Sequence, residues 1–331
     1  MPLRLPVVLA ALLIVATCFF LLTFPRDANW RRIKAKKEAK RGAALNVNIT
    51  EHLSAFKHIR SMLFFIGYPR SCSTLLGTLL DAHPHVVLAH EYNFFHVWPH
   101  LTDHAQKYNR PYIFSKLLGN SLLASSSKGK RHEIRGESAL LYHVPNQWNG
   151  RYNKTIQVIG DKQAGSTTQA LTSKDSSTWV EDLGRAVHVP IRFLHVIRNP
   201  YDNIATIAIR SLGTRKRIIE GKVLDNVDLL NKKIDYYFRL VEKTNEIRLL
   251  NTVLDIHSMD LLSNPKTTLL RVCDYLKIEC SERYLRDCAS LLFSKPSHSR
   301  NNVKWNKTLI DKVRRKMRQF SFLDRYSFDS N

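Results

Sequence analysis

The chain has 331 residues, of which 51 are Lys or Arg and 28 are Asp or Glu, so its formal net charge is +23. Hydrophobic residues make up 44% and charged residues 24%, which excludes a disordered polyampholyte and supplies enough apolar material for a core. The excess of positive charge favours an anionic partner: nucleic acid, a membrane surface, a polyanionic glycan or a phosphate-rich nucleotide.

The first residues predict a membrane anchor. Residues 5–24 form a run of 20 residues without a charged side chain, which as a helix is long enough to cross a hydrocarbon layer of about 30 Å. A cleaved signal peptide is the alternative, but its apolar stretch would be unusually long and no small-x-small cleavage site follows. We therefore expect a short tail at 1–4, a transmembrane signal anchor at 5–24, a basic stalk at 25–58 and a folded domain at 59–325.

Two sequence signals disagree about the side of the membrane on which the domain lies. A dense run of basic residues follows the anchor between 26 and 41, and by the positive-inside rule it favours a cytosolic domain. Three Asn-x-Ser/Thr sequons, at Asn48, Asn153 and Asn306, have a meaning only in a secretory lumen. Because sequons also arise by chance, the residues alone leave the topology and the use of the sequons open.

The cysteines allow several pairings. With Cys18 in the anchor, the remaining thiols are Cys72, Cys273, Cys280 and Cys288. They permit three full pairings, and the last three are close enough in sequence for one local disulfide. The sequence has no Cys-x-x-Cys and no Cys/His cluster with zinc spacing, so we expect no structural metal.

Beyond the stalk, short apolar runs alternate with helical patterns. Residues 62–66 are a continuous apolar run of strand length, and leucines repeat on one helical face over 75–80. Further strands are expected at 156–159, 191–197 and 252–256, and helices at 204–209, 224–250, 264–276, 281–293 and 306–319. Residues 101–150 look irregular, with an exposed loop at 125–130. This alternation predicts a three-layer α/β fold in which helices flank a P-loop-like parallel sheet.

The first functional motif is Gly-Tyr-Pro-Arg-Ser-Cys-Ser-Thr at 67–74, between a predicted strand and a predicted helix. Free backbone N–H groups and the helix dipole make such a turn a site for anions. A Walker A loop would need Gly and Lys where Cys72 and Ser73 stand, which disfavours hydrolysis of a nucleoside triphosphate. A capped helix start with an incidental arginine is the plainer alternative. The side chains that would add donors for phosphate-like oxygens are Arg70, Ser71, Ser73 and Thr74.

The second motif is Arg-Asn-Pro-Tyr-Asp-Asn at 198–203, which follows the predicted strand 191–197. Pro200 suits the first turn of a helix. Thr206 and Arg210 are four residues apart and therefore share a helical face. Arg198 and that face would together hold a second phosphate, although a solvated helix with ordinary arginines is an equally simple interpretation.

Together the two motifs resemble those of the sulfotransferase family, whose donor is 3′-phosphoadenosine 5′-phosphosulfate (PAPS). The family's Pro-[Arg/Lys]-Ser-x-[Ser/Thr]-Thr loop for the 5′-phosphosulfate matches Pro69-Arg70-Ser71-Cys72-Ser73-Thr74. Its Arg-[Asp/Asn]-Pro…Ser/Thr…Arg element for the 3′-phosphate matches Arg198-Asn199-Pro200, Thr206 and Arg210. The resemblance spans about residues 61 to 320. The stretch Leu-Asp-Ala-His-Pro at 80–84 looks especially like the tyrosylprotein and other membrane-bound Golgi branches.

Two positions depart from the family pattern. Cys72 stands where the family usually has Gly, so the loop backbone must either avoid a positive φ there or accept strain. Thr206 replaces the more usual Ser and keeps the hydroxyl.

The resemblance also implies the groups that perform the chemistry. Glu91 stands at the place of the catalytic base in the tyrosylprotein branch, with a structural carboxylate paired to a basic group as the alternative. Arg70 and Lys162 match the cations that stabilise charge on the transferring group and the leaving phosphate. His90 is a rival base, whereas His83 in Asp-Ala-His-Pro is expected to be a packing or turn residue.

The C-terminal stretch 299–305 looks like the family's segment that closes over the nucleotide, with Arg300 and Lys304 as phosphate contacts. The basic helix face that follows, over 312–318, is either solvated or holds a polyanionic acceptor.

We therefore expect a single-pass type II Golgi membrane protein whose lumenal domain transfers a sulfuryl group from PAPS to a hydroxyl of a glycan or protein, without a metal and without a nucleic-acid partner. A metal-dependent glycosyltransferase shares this layout but usually needs Asp-x-Asp, which the sequence lacks. A catalytically silent membrane-anchored binder of sulfated polyanions is the third possibility. The acceptor and the oligomeric state are left open.

Overall fold

The computed structural model describes residues 44–126, 143–212, 223–292 and 297–330. Within these ranges five strands pair in parallel in the order β2-β3-β1-β4-β5. The strands are β1 Ser61–Ile66, β2 Val86–His90, β3 Val158–Lys162, β4 Ile191–Ile197 and β5 Val253–His257.

Helices connect the strands and cover the sheet. They are α1 Ile49–Phe56, α2 Ser73–Asp81, α3 Phe94–Val97, α4 His104–Lys107, α5 Arg110–Ser126, α6 Ala164–Leu171, α7 Trp179–Val187, α8 Pro200–Ser211, α9 Val227–Leu250, α10 Ser258–Ser263, α11 Pro265–Leu276, α12 Glu282–Ser290 and α13 Lys307–Met317. Short 3-10 helices lie at Trp98–His100, Ser299–Asn302 and Ser321–Leu323.

The core explains the continuous apolar run of β1. Side chains alternate across a strand, so a sheet covered on both faces needs apolar residues at every position. Leu63 and Phe65 pack in one hydrophobic cluster with α2, α11 and α12. Met62, Phe64 and Ile66 pack in another with α1, α3, α5 and α7. The predicted three-layer α/β architecture is therefore confirmed for the described residues.

A third hydrophobic cluster lies around α8, α9 and α13, and it includes Phe320, Phe322 and Tyr326 near the C-terminus. Tyr326 donates to the carbonyl of Ile197 at the end of β4, over 3.2 Å. The C-terminal segment is thereby attached to the end of the sheet at which the second motif begins.

The strand order positions the candidate site. From β1 the chain builds β2 and β3 on one side and then β4 and β5 on the other. Ligands of open parallel α/β sheets bind beyond the carboxyl ends of the strands, where the direction of winding reverses. This switch point lies beside β1, between the two predicted motifs.

Most predicted elements are present, and some were missed. The strand at 191–197 is found at its predicted bounds. The structure also has β2 and α5, although the segment containing α5 was predicted to be irregular. Helix α5 packs against both β2 and α1, so its apolar residues are not confined to one stripe. The predicted loop at 125–130 falls mainly outside the described residues.

The predicted stalk extends too far towards the C-terminus. Residues 44 onwards belong to the folded unit, and α1 buries Ala55 and Phe56 in the core. Helix α1 begins at a side-chain cap, since Asn48 accepts from the amide of Thr50 over 3.2 Å. The sequence analysis missed α1 because polar residues dominate the segment that contains its few apolar residues.

The predicted anchor at 5–24 lies outside the described residues. Among the helices of the described ranges, none combines the length and the apolar character needed to cross a bilayer. Of the pairings open to the cysteines, the structure has a disulfide between Cys273 and Cys280, whose Cα atoms are 6.2 Å apart. Cys72 and Cys288 are free thiols.

Candidate functional site

The loop of residues 67–74 joins β1 to α2 and has an unusual backbone. Gly67 has a φ of 123°, and both Arg70 (φ 73°) and Cys72 (φ 74°) are left-handed. Of the two possibilities that the sequence left open for Cys72, the loop thus accepts strain. A left-handed conformation costs a non-glycine residue about 1–2 kcal/mol, and strain of this kind concentrates at functional sites.

Neighbouring elements hold this strained loop. The hydroxyl of Thr168 in α6 accepts from the amide of Gly67 over 2.8 Å, and Asn203 in α8 donates to the carbonyl of Pro69 over 2.8 Å. The Ser71 side chain is fully buried, and its hydroxyl has no hydrogen-bond partner among the described residues. A buried hydroxyl without a partner is costly, so an anion that reaches the loop would gain this donor.

Three side chains beside this loop form one polar contact set. Lys162 Nζ, at the end of β3, donates to Thr74 Oγ1 and to Glu91 Oε1, each over 3.1 Å. The Lys162 side chain is 2% exposed whereas that of Glu91 is 42% exposed. The ammonium therefore faces inward along the start of α2, while the carboxylate remains open to solvent. We call Arg70, Thr74, Glu91 and Lys162 the β1 cluster.

A glycine makes room for the lysine. In α2, a Cβ on Gly77 would lie 2.3 Å from Cγ of Lys162. The aliphatic part of Lys162 thus crosses the helix at Gly77 on its way to Thr74. The sequence pattern of α2 had no other reason for a glycine in mid-helix, where it weakens the helix.

Arg198 organises the second motif at the end of β4. It donates to Thr206 Oγ1 over 3.1 Å, to Ser299 Oγ over 3.0 Å and to the carbonyl of Ser297 over 2.8 Å. Its Nη1 also lies 3.4 Å from the carbonyl oxygen of Arg70. Arg210 follows Thr206 by one helical turn and lies in the last turn of α8. We call Arg198, Thr206, Arg210 and Ser299 the β4 cluster.

Arg300, expected as a phosphate contact, forms a buried ion pair with Asp202. Its side chain is 4% exposed, and both oxygens of Asp202 accept from it, Oδ1 from Nε over 3.1 Å and Oδ2 from Nη2 over 3.0 Å. It also donates to the carbonyls of Ser327 and Phe328. The guanidinium is therefore committed to internal acceptors, and it joins the 3-10 helix Ser299–Asn302 to α8 and to the C-terminal segment.

Lys304 is also paired. It lies 3.0 Å from Asp225 in an ion pair in which both side chains are largely exposed. Exposed ion pairs of this kind contribute little stability. The phosphate contact expected for Lys304 stays a prediction.

The two histidines considered above differ in environment. His83 is buried and its Nε2 lies 2.9 Å from the carbonyl of Glu279, and burial lowers the pKa of its imidazole to about 4. It is a packing residue, as predicted. His90 is the last residue of β2, and its Nε2 lies 3.4 Å from Asp81 Oδ2.

The family model of the Sulfotransferase family matches residues 63–282. The chain belongs to the sulfotransferase family. The match covers the loop after β1, the residues Glu91 and Lys162, and the motif after β4. Family membership implies a sulfuryl transferase with a sulfate donor and an acceptor, and its members usually use PAPS. Among curated proteins, no significant match is found.

Several solved sulfotransferases are similar to this chain at low identity. Sulfotransferase STF9 from Mycobacterium avium is 10% identical, with a TM-score of 0.42 over 82% of this chain and 80% of that one. STF1 from Mycobacterium tuberculosis H37Rv is 15% identical, with a TM-score of 0.39 over 73% of each chain. The sulfotransferase domain of the Synechococcus PCC 7002 olefin synthase is 17% identical, with a TM-score of 0.37 over 78% of this chain and 88% of that one. Because these scores are low, the assignment to the sulfotransferase family rests on the family match.

Sequence reasoning missed several residues that support the site. Thr168 and Asn203 anchor the loop, and the hydroxyl of Ser299 accepts a hydrogen bond from Arg198. Each lies far in sequence from the group that it contacts, so no local pattern marks it. Asn203 was quoted in the second motif, but without a role.

Proposed function

We propose that this sulfotransferase moves a sulfuryl group from PAPS to a hydroxyl of a glycan or protein acceptor. The observation that carries the proposal is the approach of Arg198 Nη1 to within 3.4 Å of the Arg70 carbonyl. It brings the β1 and β4 clusters next to each other at the switch point of the sheet. A single nucleotide with phosphates on both its 5′ and 3′ positions fits two adjacent cationic clusters, which a monophosphate would use only in part.

For the donor, we assign the 5′-phosphosulfate to the loop and the 3′-phosphate to the β4 cluster. The loop residues are Arg70, Ser71, Cys72, Ser73 and Thr74. The 3′-phosphate residues are Arg198, Thr206 and Arg210. We assign Arg300 a positioning role through Asp202.

For the chemistry, we assign Glu91 as the base that takes the proton of the acceptor hydroxyl. As that oxygen forms its bond to sulfur, the bond between sulfur and the 5′-phosphate oxygen breaks, and its electron pair stays on the phosphate. Lys162 and Arg70 stabilise the charge that develops there, which is the usual role of fixed cations in group transfer. Because Lys162 also contacts Glu91, the base and the cation are held in one arrangement.

The donor and the reaction can be tested together on the purified full chain. Binding of 3′-phosphoadenosine 5′-phosphate is measured by calorimetry, and transfer from ³⁵S-labelled PAPS is measured with tyrosine peptides and with glycan acceptors. Sulfate transfer without added metal supports the proposal. Metal-dependent sugar transfer would indicate a glycosyltransferase instead, and binding of sulfated glycans without turnover would indicate a silent binder. Mass spectrometry of the product identifies the acceptor.

We further propose that the chain is a type II Golgi membrane protein with a lumenal domain. The uncharged run at 5–24 supports an anchor. The disulfide between Cys273 and Cys280 supports an oxidising compartment, since such bonds are rare in the cytosol. Asn48, Asn153 and Asn306 are exposed in the structure and so accessible to glycosylation. A mobility shift removed by peptide N-glycosidase, and lost in the triple variant Asn48→Gln/Asn153→Gln/Asn306→Gln, is expected, whereas an unshifted chain accessible to cytosolic protease would refute the proposal.

A further inference from the structure

Asp161 is a buried carboxylate that the mechanism above does not use. It immediately precedes Lys162 in β3 and is completely buried. Its Oδ1 accepts from the amide of Tyr92 over 3.1 Å, and its Oδ2 accepts from the amide of Phe94 over 3.0 Å. Both amides belong to the turn that follows β2 and carries Glu91.

The backbone of that turn alternates between ordinary and left-handed residues. Glu91 has a φ of 56° and Asn93 a φ of 62°. Successive residues of this kind can turn their N–H groups towards one point and bind an anion there, in the arrangement called a nest. Asp161 supplies that anion from within the chain. Since left-handed conformations are unfavourable for non-glycine residues, the turn needs such a partner to keep its shape.

Two neighbouring residues of β3 contact the Glu91 region, one through the Glu91 side chain and one through the backbone that follows it. Neighbouring residues of a strand point to opposite faces, so Lys162 and Asp161 project on opposite sides of the sheet. Lys162 contacts the carboxylate of Glu91, whereas Asp161 holds the backbone that follows it. The pairing of β2 with β3 places Ala89 beside Asp161 and His90 beside Lys162, which puts the turn directly at the end of β3.

We propose that Asp161 is a positioning residue for the reaction: its carboxylate fixes the turn at 91–94 and thereby aims the Glu91 side chain at the acceptor hydroxyl. This inference rests on the proposed function, because it takes Glu91 to be the base. Asp161 touches neither substrate, and it acts on catalysis only through Glu91.

The need for two acceptor atoms distinguishes a carboxylate from an amide at this position. In Asp161→Asn, the new NH₂ group would face one of the two backbone N–H groups. Two donors would then point at each other, and one of the two hydrogen bonds would be lost. The buried amide would otherwise fill the same volume. The substitution therefore releases the turn while changing the packing very little.

A kinetic double-mutant cycle tests the inference. In the full-length protein, Asp161→Asn is expected to lower kcat by about 10²-fold, since misplacement of a catalytic group by about 1 Å has effects of this size, and to leave the KM for PAPS within about twofold. In a Glu91→Gln background the same substitution is expected to change kcat by less than about twofold, because the base it would misplace is already gone.

Asp255→Asn is the matched control. Asp255 is a partly buried carboxylate of β5, at the opposite edge of the sheet, where it binds His195 and Arg248. Asp255→Asn is expected to change kcat by the same factor whether position 91 is Glu or Gln. If Asp161→Asn also lowers kcat by equal factors in both backgrounds, its role is merely structural and the inference is overturned.

Amide hydrogen exchange supplies a readout that does not depend on activity or on the folding of a variant. In the wild-type chain the Tyr92 and Phe94 amides are expected to exchange at least about 10²-fold slower than their intrinsic rates. Exchange of both amides at the intrinsic rate would overturn the inference. If the wild-type chain transferred no sulfate to any acceptor, the proposed function would fail, while the exchange result would still decide whether Asp161 holds the turn.

Discussion

The β1 and β4 clusters lie side by side, yet their backbones differ. Around the β1 cluster, four non-glycine residues are left-handed, namely Arg70, Cys72, Glu91 and Asn93. In the described stretches around the β4 cluster, 198–212 and 297–303, no residue has a positive φ. The β4 cluster is built instead from a regular helix start, in which Asn199 caps α8, and from side-chain hydrogen bonds to Arg198.

This difference in backbone conformation matches the role that we assign to each cluster. A phosphate group presents several equivalent oxygens, which an arginine and hydroxyls can hold from ordinary secondary structure. In-line transfer needs a base, a cation and loop amides at fixed positions, and strained backbone is one way to fix them. We therefore expect substitution of Glu91 in the β1 cluster to alter turnover without altering donor affinity, and substitutions at the β4 cluster to alter donor affinity.

The largest expected effect separates the two clusters by their kinetics. Glu91→Gln keeps a group that can accept from Lys162 but cannot take a proton, so kcat is expected to fall by about 10²- to 10⁴-fold. Affinity for 3′-phosphoadenosine 5′-phosphate in calorimetry should stay within about twofold.

His90→Gln is the matched control for the base. His90 is the rival base, and its Nε2 lies 3.4 Å from Asp81 Oδ2. With Glu91 as the base, kcat of His90→Gln is expected to stay within about threefold of wild type. Equal losses in the two variants, or a parallel loss of nucleotide affinity in Glu91→Gln, would contradict the role assigned to Glu91.

A pH dependence is expected from the carboxylate that holds the strained turn. Burial raises the pKa of Asp161 from 3.8 to about 6. The two backbone hydrogen bonds favour the ionised carboxylate and lower this pKa, but the cost of burying the charge is larger. Because the folded pKa lies above the unfolded one, the free energy of unfolding is highest below about pH 3.8 and falls as the pH rises through about 6, by about 3 kcal/mol in total.

The difference between wild type and Asp161→Asn isolates this effect from other titrating groups. Denaturant unfolding of both proteins at about pH 4 and pH 7 should show the free energy of unfolding of the wild type falling by about 2 kcal/mol more than that of the variant over this interval. Identical pH dependence of the two free energies of unfolding would show that Asp161 is not the group responsible.

A smaller effect on stability and turnover is expected from Gly77, where the Lys162 side chain crosses α2. Gly77→Ala places a methyl group against the lysine stem, and is expected to lower the free energy of unfolding by about 1–2 kcal/mol and to lower kcat by displacing Nζ. Gly184→Ala in α7 is the control, because nothing lies within 4 Å of its Cβ position, and it should gain about 0.5–1 kcal/mol. Two variants with equal stability and equal kcat would refute the proposed path.

The smallest expected effect concerns backbone strain in the loop. Cys72→Gly relieves the left-handed conformation at φ 74°, and is expected to raise the free energy of unfolding by up to about 1 kcal/mol. Cys72→Ala retains a Cβ and should give no such gain. Thermal unfolding of both variants measures the difference. If Cys72→Ala is stabilised as much as Cys72→Gly, the prediction is wrong.

The sequence predicted the parts of this molecule that depend on local pattern. The apolar runs of β1 and β4 are long and bounded by polar turns, so their bounds were close to those observed. Strand β2 was missed because a four-residue apolar run such as Val86–Ala89 does not by itself distinguish a strand from part of a buried helix. Helix α5 was missed because it is covered on more than one side, which removes the one-sided pattern that marks a surface helix.

The candidate site shows the same limit. The loop at 67–74 and the Arg198 motif are contiguous in sequence, and a family resemblance made them visible. The role of Arg300 was not visible, because it depends on a buried bidentate contact with Asp202 across 98 positions of the chain. The contacts of Lys162 with the Glu91 carboxylate and of Asp161 with the backbone that follows it likewise depend on the pairing of β2 with β3. Patterns in a single sequence do not specify this pairing.

The central claim is that the two clusters bind opposite ends of one donor nucleotide. It is tested most directly by calorimetry with 3′-phosphoadenosine 5′-phosphate and with adenosine 5′-monophosphate, on wild type and on Arg198→Ala. Wild type should prefer the bisphosphate by about 10- to 100-fold, as expected for charge-assisted hydrogen bonds to the 3′-phosphate, and Arg198→Ala should bind both nucleotides with nearly equal affinity. An undiminished preference in Arg198→Ala would contradict the account.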